Sequence, residues 1–155
     1  MLKKISLTLT FAAILLYGGW RIYQPVEIDA VHKDRGVSYA SVLVRHFPWT
    51  VRGRIEWWEQ NKERLRAEYG IPHPDTDGTF QVVFWAWDGI YRVNHGTDED
   101  SDFRCFEDMT VDARCIEKSE QPLLVRKLRD GRVVFYTEQN SYVQDDESKE
   151  VRLRE

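Results

Sequence analysis

The stretch that decides the fold is TVRGRIEWWEQNKERLRAEYGIP, residues 50–72. Val51, Ile55, Trp58, Leu65 and Tyr69 recur at helical spacing on one face. Lys62 interrupts the stripe and Trp57 lies off its centre, while Glu56, Glu59, Glu63, Arg64, Arg66 and Glu68 cover the rest. The Thr50 hydroxyl can accept an otherwise orphaned first-turn N–H, as a good N-cap does. Glu59 with Lys62 and Glu63 with Arg66 support the helix along its exposed side. Gly70 suits the left-handed residue that ends a helix, and Pro72 prevents continuation. The spacing therefore predicts one amphipathic helix ending at Tyr69.

Outward from the helix, the pattern turns to period two. Pro48 closes a run at residues 40–47 (ASVLVRHF) that reads as a strand rich in β-branched residues. Before it, Val26, Ile28 and Ala30 alternate with Glu27 and Asp29, and Asp34-Arg35-Gly36 reads as a turn, so the two strands form a hairpin. After the helix, residues 72–78 (PHPDTDG) are a turn-rich connection. Residues 79–87 (TFQVVFWAW) are apolar on both faces and predict a central strand, partly covered by the helix. Asp88-Gly89 predicts a hairpin returning through residues 90–94, and Asp130-Gly131 a second one joining 123–128 to 133–137. Residues 103–106 form a short strand, and 140–155 contain a last strand in a charged tail. The sum is an α+β domain, with an antiparallel sheet and one main amphipathic helix.

The start of the chain differs from the rest. Residues 5–20 (ISLTLTFAAILLYGGW) carry no charge and follow Lys3 and Lys4. Bulky aromatics stand where a signal-peptidase site needs small residues, and no Cys follows for lipid attachment. Through Tyr23 the run would rise roughly 28 Å as a helix, close to the hydrocarbon thickness. Tyr17, Trp20 and Tyr23 suit an interfacial aromatic belt. The expectation is an N-terminal transmembrane helix, an uncleaved signal anchor over residues 1–24. A domain over residues 25–155 follows it. The flanking lysines orient the N-terminus to the cytoplasm and the domain to the other side.

Composition narrows the function. The 155 residues include 22 Lys+Arg and 26 Asp+Glu, a net charge of −4. The first 23 residues carry +3 and the other 132 carry −7. With no basic block, a strongly basic nucleic-acid binder is excluded. A hydrophobic fraction of 42% with six Trp excludes a wholly disordered chain. Two Cys exclude a disulfide-dense scaffold and a four-Cys zinc site.

Several motifs stand together: Arg52-Gly53-x-Ile55-x-Trp57-Trp58-x-x-Asn61-Lys62, Tyr69-Gly70-Ile71-Pro72, Asp77-Gly78 and Phe84-Trp85. Cys105-Phe106-x-Asp108-Met109, Cys115-Ile116-Glu117-Lys118 and Pro25-Val26-Glu27-Ile28 complete the set. The combination resembles the DUF943 family of enterobacterial membrane proteins, from the anchor through residue 142. The resemblance implies membrane association and, the family being of unknown function, gives no catalytic residues to carry over. In size and layout its members resemble small anchored proteins encoded beside bacterial toxins. In a Gram-negative cell the orientation above puts the domain in the periplasm, at the inner membrane.

The residues themselves offer few sites. Cys105 and Cys115 would form a structural disulfide in an oxidising compartment; two buried thiols or a redox pair are the alternatives. Asp98, Glu99, Asp100 and Asp102 are a dense acidic cluster. As a site it suits a basic protein partner; a solvated loop is the plainer reading. His73-Pro-Asp75-Thr-Asp77-Gly78 fails the calcium-loop pattern, because Phe84 stands where a bidentate Glu is needed, and reads as a turn. His32, His46, His73 and His95 show no zinc spacing, and no nucleophile or nucleotide-binding motif occurs. Among the tryptophans, Trp57 and one of Trp85 or Trp87 are expected at the surface, able to anchor a protein or stack on sugars. The reading is a non-enzymatic, cofactor-free membrane protein with a periplasmic protein-binding domain, an immunity or accessory protein for a toxin. A domain binding peptidoglycan or another envelope carbohydrate is the alternative.

Overall fold

A computed structural model describes residues 10, 13–14, 16–19, 24–33, 35–98, 102–118, 120–146, 148 and 150–154. Its elements are β1 Glu27–His32, β2 Tyr39–Arg45, α1 Val51–Tyr69, β3 Phe80–Ala86, β4 Arg92–Val93, β5 Phe103–Cys105, β6 Ala113–Glu117, β7 Leu123–Lys127, β8 Val133–Tyr136, β9 Ser141–Gln144 and β10 Val151–Leu153.

The helix follows its sequence signals. Thr50 Oγ1 accepts the Gly53 N–H at 3.1 Å. At the other end Gly70 takes φ 65°, and its N–H bonds Arg66 O at 3.0 Å while Ile71 N–H reaches Leu65 O at 3.3 Å. Lys33 Nζ donates to Tyr69 O, a cation at the negative end of the helix. Ile55, Trp58 and Leu65 are buried.

Seven strands form one sheet in the order β1-β2-β3-β7-β8-β9-β10, and three form another in the order β4-β6-β5. The main sheet is mixed, which corrects the antiparallel expectation. β2 and β3 run parallel, pairing Tyr39 with Gln81 through Val44 with Ala86. The reason is α1, a crossover long enough to bring the chain back to the starting edge of β2. β7 takes the other side of β3 in antiparallel register. Both edges of β3 are thus occupied, so the Asp88-Gly89 turn cannot return a strand to it. The Asp88 carboxylate accepts the Ile90 N–H at 3.0 Å, and the chain leaves for the second sheet, where β4 pairs with β6. The Asp130-Gly131 turn does join an antiparallel pair, with Leu128 N–H on Arg132 O at 2.8 Å and Gly131 at φ 88°.

The apolar alternation of β3 explains the layering. Val82 and Phe84 face α1 with Val42, Val44, Leu123, Val125 and Phe135, around Trp58 and Leu65. Val83 and Trp85 face the opposite way and meet Leu43, Phe106 and Ile116. The result is helix, main sheet and small sheet in three layers. A disulfide joins Cys105 to Cys115, directly opposite each other on β5 and β6.

The fold class therefore changes from a helix-anchored α+β domain to a predominantly β one. Among the described residues no helix is long and apolar enough to cross a membrane. Most of the expected anchor over residues 1–24 lies outside the described residues.

Candidate functional site

The parallel β2–α1–β3 unit fixes where a site can form. Both strands end on the same edge of the sheet, and α1 starts there. In open sheets of this kind ligands gather at the carboxyl ends of the parallel strands. A cleft of about 480 Å³ opens at that edge, lined by residues from the end of β2 through Trp49, by Arg54, and by Ala86, Trp87, Asp88, Glu120 and Pro122. A smaller hollow of about 260 Å³ adjoins it, sharing Ala86, Trp87, Asp88 and Glu120 and adding Arg92, Ile116 and Glu117.

The backbone here is held tightly. His46 has φ 58°, the only left-handed non-glycine among the described residues. That conformation costs of order 1 kcal/mol and needs support from its surroundings. The support comes from both sides. Phe47 turns inward and stacks on Phe84 with centroids 5.1 Å apart. Arg54 donates to Pro48 O at 2.8 Å and to Pro122 O at 2.9 Å. Between these anchored residues Trp49 projects outward, 82% exposed.

On the opposite wall Trp87 is half-buried. Its Nε1 donates to Ile90 O at 3.3 Å and its ring lies 4.9 Å from that of Tyr91. Asp88 bonds Arg92 at 2.6 Å, and Arg92 reaches Glu117 at 3.0 Å. The Arg92 hydrogen bond holds the Asp88 carboxyl below the usual range, and Asp88 in turn raises the guanidinium. Glu120 adds an exposed carboxylate at the junction of the two hollows. The cleft thus combines an exposed indole with a charge-balanced rim, in which Arg45, Arg54 and Arg92 match Asp88, Glu117 and Glu120, and among the described residues its lining contains no Ser, Thr or Cys nucleophile.

A second constellation lies behind it. His32 is buried, with Nδ1 2.9 Å from Asp108 Oδ1 and Nε2 2.8 Å from the Tyr91 hydroxyl. A carboxylate only accepts, so Nδ1 donates to Asp108, and in the neutral ring Nε2 accepts from the phenol. Burial raises the Tyr91 pKa, reinforced by the charges of Asp108 and Asp29. The phenol therefore stays protonated, and the chain of groups fastens β1 to the loop after β5 without supplying a nucleophile. Sequence reading missed it because Asp108 lies 76 residues from His32.

The sequence-predicted residues are dispersed. Trp87 lies in the cleft. Trp57 is half-buried on α1 against Phe47 and Phe84, at 5.3 and 5.7 Å. Trp85 is buried among Leu43, Phe106 and Ile116. Trp49, next to Pro48 and outside the helical stripe, is the exposed indole that spacing did not single out. Asp98 and Asp102 are exposed between β4 and β5; Glu99 and Asp100 lie outside the described residues. No group of His, Cys, Asp and Glu able to hold a metal occurs among the described residues. The 73–78 segment is a turn: Asp77 accepts from Thr79 N–H at 3.1 Å and from its hydroxyl at 2.7 Å.

Fold and cleft together define a small, disulfide-bridged, three-layer β-rich domain with an exposed aromatic at a strand-end cleft. The chain belongs to the DUF943 family, described as "Enterobacterial putative membrane protein", which matches residues 2–154. That family is one of unknown function, whose description points to a membrane location. Neither a curated protein nor a solved structure matches the chain.

Proposed function

We propose that this membrane-family protein presents a non-catalytic binding domain on the periplasmic side of the inner membrane, capturing a protein partner at the Trp49 cleft. The observation that carries the reading is Trp49 itself, 82% exposed on a backbone held on both flanks. A large indole exposed at the mouth of a cleft, on a fixed backbone, suits the anchor of a protein interface. Arg92 pairs with Asp88 and Glu117, so the preference for a basic partner rests on Glu120 at the cleft and on the exposed Asp98 and Asp102. The disulfide supports an oxidising compartment. An immunity or accessory role toward a toxin is the form of this reading that suits a small acidic domain.

A second reading has its own support. An exposed indole flanked by carboxylates also suits stacking on a sugar of the cell envelope. One experiment separates the two. The tagged full chain is purified from membranes in mild detergent, and its binding to purified peptidoglycan is measured in parallel, each with and without Trp49→Ala. A protein recovered in stoichiometric amount and lost with Trp49→Ala supports the first reading. Trp49-dependent retention on peptidoglycan supports the second. Binding of either kind that ignores Trp49 contradicts both.

A further inference from the structure

The two edges of the main sheet are built differently. β1 has a bulge between Ile28 and Ala30, follows Pro25, and carries Glu27 and Asp29 in ion pairs with Arg45. Bulges and charges of this kind keep an edge from pairing. β10 has no bulge, and the charges on and beside it, Glu150, Arg152 and Arg154, include both signs. It pairs regularly with β9, Val151 with Gln144 through Leu153 with Tyr142. Arg154 N–H donates to Ser141 O. By the alternation of antiparallel ladders, residues 152 and 154 therefore bond inward, and the backbone groups of Val151 and Leu153 point outward.

We infer that β10 is the homodimer interface of this protein, pairing antiparallel with β10 of a second copy about a twofold axis through Arg152. The occupant follows from charge. In Glu150-Val151-Arg152-Leu153-Arg154, antiparallel self-pairing sets Glu150 opposite Arg154 of the other copy, twice by symmetry. Glu150 and Arg154 are exposed, and Glu150 makes no ion pair among the described residues. The two Arg152 side chains meet at the axis, each neutralised by its own Asp145. In the same register Val151 and Leu153 exchange the outward hydrogen bonds, about four in all.

The apolar residues agree with that register. Val151 packs against the helix-side core, while Leu153 is 56% exposed. A groove of about 770 Å³, lined by Val51, Ile55 and Tyr142 among others, runs between α1 and β9–β10. Self-pairing brings Leu153 of the second copy beside Val151, on the wall of this groove. This register pairs Glu150 with Arg154 at both ends and keeps the outward hydrogen bonds in step. The contact is short, so the dimer is reversible and forms most readily when both copies are held at one membrane.

The test uses the full chain in detergent. With both native cysteines bridged, Arg152→Cys introduces a single thiol at the axis. It should form an intermolecular disulfide on mild oxidation, while Arg129→Cys on the exposed β7–β8 turn should not. In sedimentation, Glu150→Arg and Arg154→Glu should each weaken self-association about tenfold, and the double variant should restore it. Circular dichroism matching the native protein guards against misfolding. A chain monomeric at every concentration overturns the inference. So does equal cross-linking from both cysteine variants, cross-linking of residue 152 to another protein, or a double variant as weak as the singles.

Discussion

The imidazole of His32 lies flat on the ring of Phe106, with centroids 3.8 Å apart and planes within 9°. His32 ends β1 of the main sheet, and Phe106 follows β5 of the small one, so this stack joins two layers. Asp108 and Tyr91 bond the two ring nitrogens from the same small layer. The guanidinium of Arg104 covers Phe106 at 5.0 Å.

Truncating this joint should loosen the small sheet and leave the helix core in place. His32→Ala should cost about 2 kcal/mol, from the lost stack and two lost hydrogen bonds. Amide exchange should accelerate in β4–β6 and stay slow in β3. Uniform acceleration across both sheets would show that the layers unfold as one unit.

The Cys105–Cys115 bridge closes a loop within the same layer. Replacing both cysteines by serine should lower unfolding free energy by about 2–3 kcal/mol in the chain-entropy picture. Denaturant unfolding of the oxidised protein and the double variant measures this directly.

The caps of α1 make a separate prediction. Thr50→Ala removes the bond to Gly53 and should cost about 1 kcal/mol. Gly70→Ala places a side chain at φ 65°, with its Cβ 3.3 Å from Lys33 Nζ, and should also cost about 1 kcal/mol. The two sites lie at opposite ends of the helix, so the double variant should lose the sum. Thermal melts of the three variants read it out.

Asp77 gives an acid dependence. The Thr79 hydroxyl and N–H, with Arg129, hold its carboxyl at about 2, below the ordinary 3.8. A lowered native pKa contributes stability that is present above 3.8 and lost as pH falls toward 2. The native protein should therefore lose stability across that window more steeply than Asp77→Asn. Parallel slopes in urea titrations between those pH values would show that the Thr79 and Arg129 contacts do not form in solution.

Much of the fold was readable because its signals are local. Thr50, the apolar stripe and Gly70 bound α1 without tertiary information, and the double-faced apolar run of β3 announced a central strand. The parallel pairing of β2 and β3 was also implicit, since strand, long helix and strand stood in that order. It was missed because the two Asp-Gly turns drew attention to hairpins. Whether β4 could return to β3 depended on β7, more than thirty residues later. The N-terminal run was read from its apolar length, its flanking lysines and its aromatic residues, and none of these establishes a spanning helix. The cleft was illegible for a related reason. Its walls come from the end of β2, the end of β3 and the segment before β7, which only the folded sheet brings together. Trp49 escaped because it belongs to no periodic element, and that same irregular position leaves it exposed.

The account rests on Trp49 as the anchor of a protein contact. A photo-reactive amino acid at position 49 of the full chain, activated in intact cells, tests this most directly. The account predicts one dominant cross-linked protein, lost when Glu120 is also changed to Lys, and absent when the probe stands instead at the exposed Val111. A position 49 that captures no protein, or captures the same products as position 111, would contradict it.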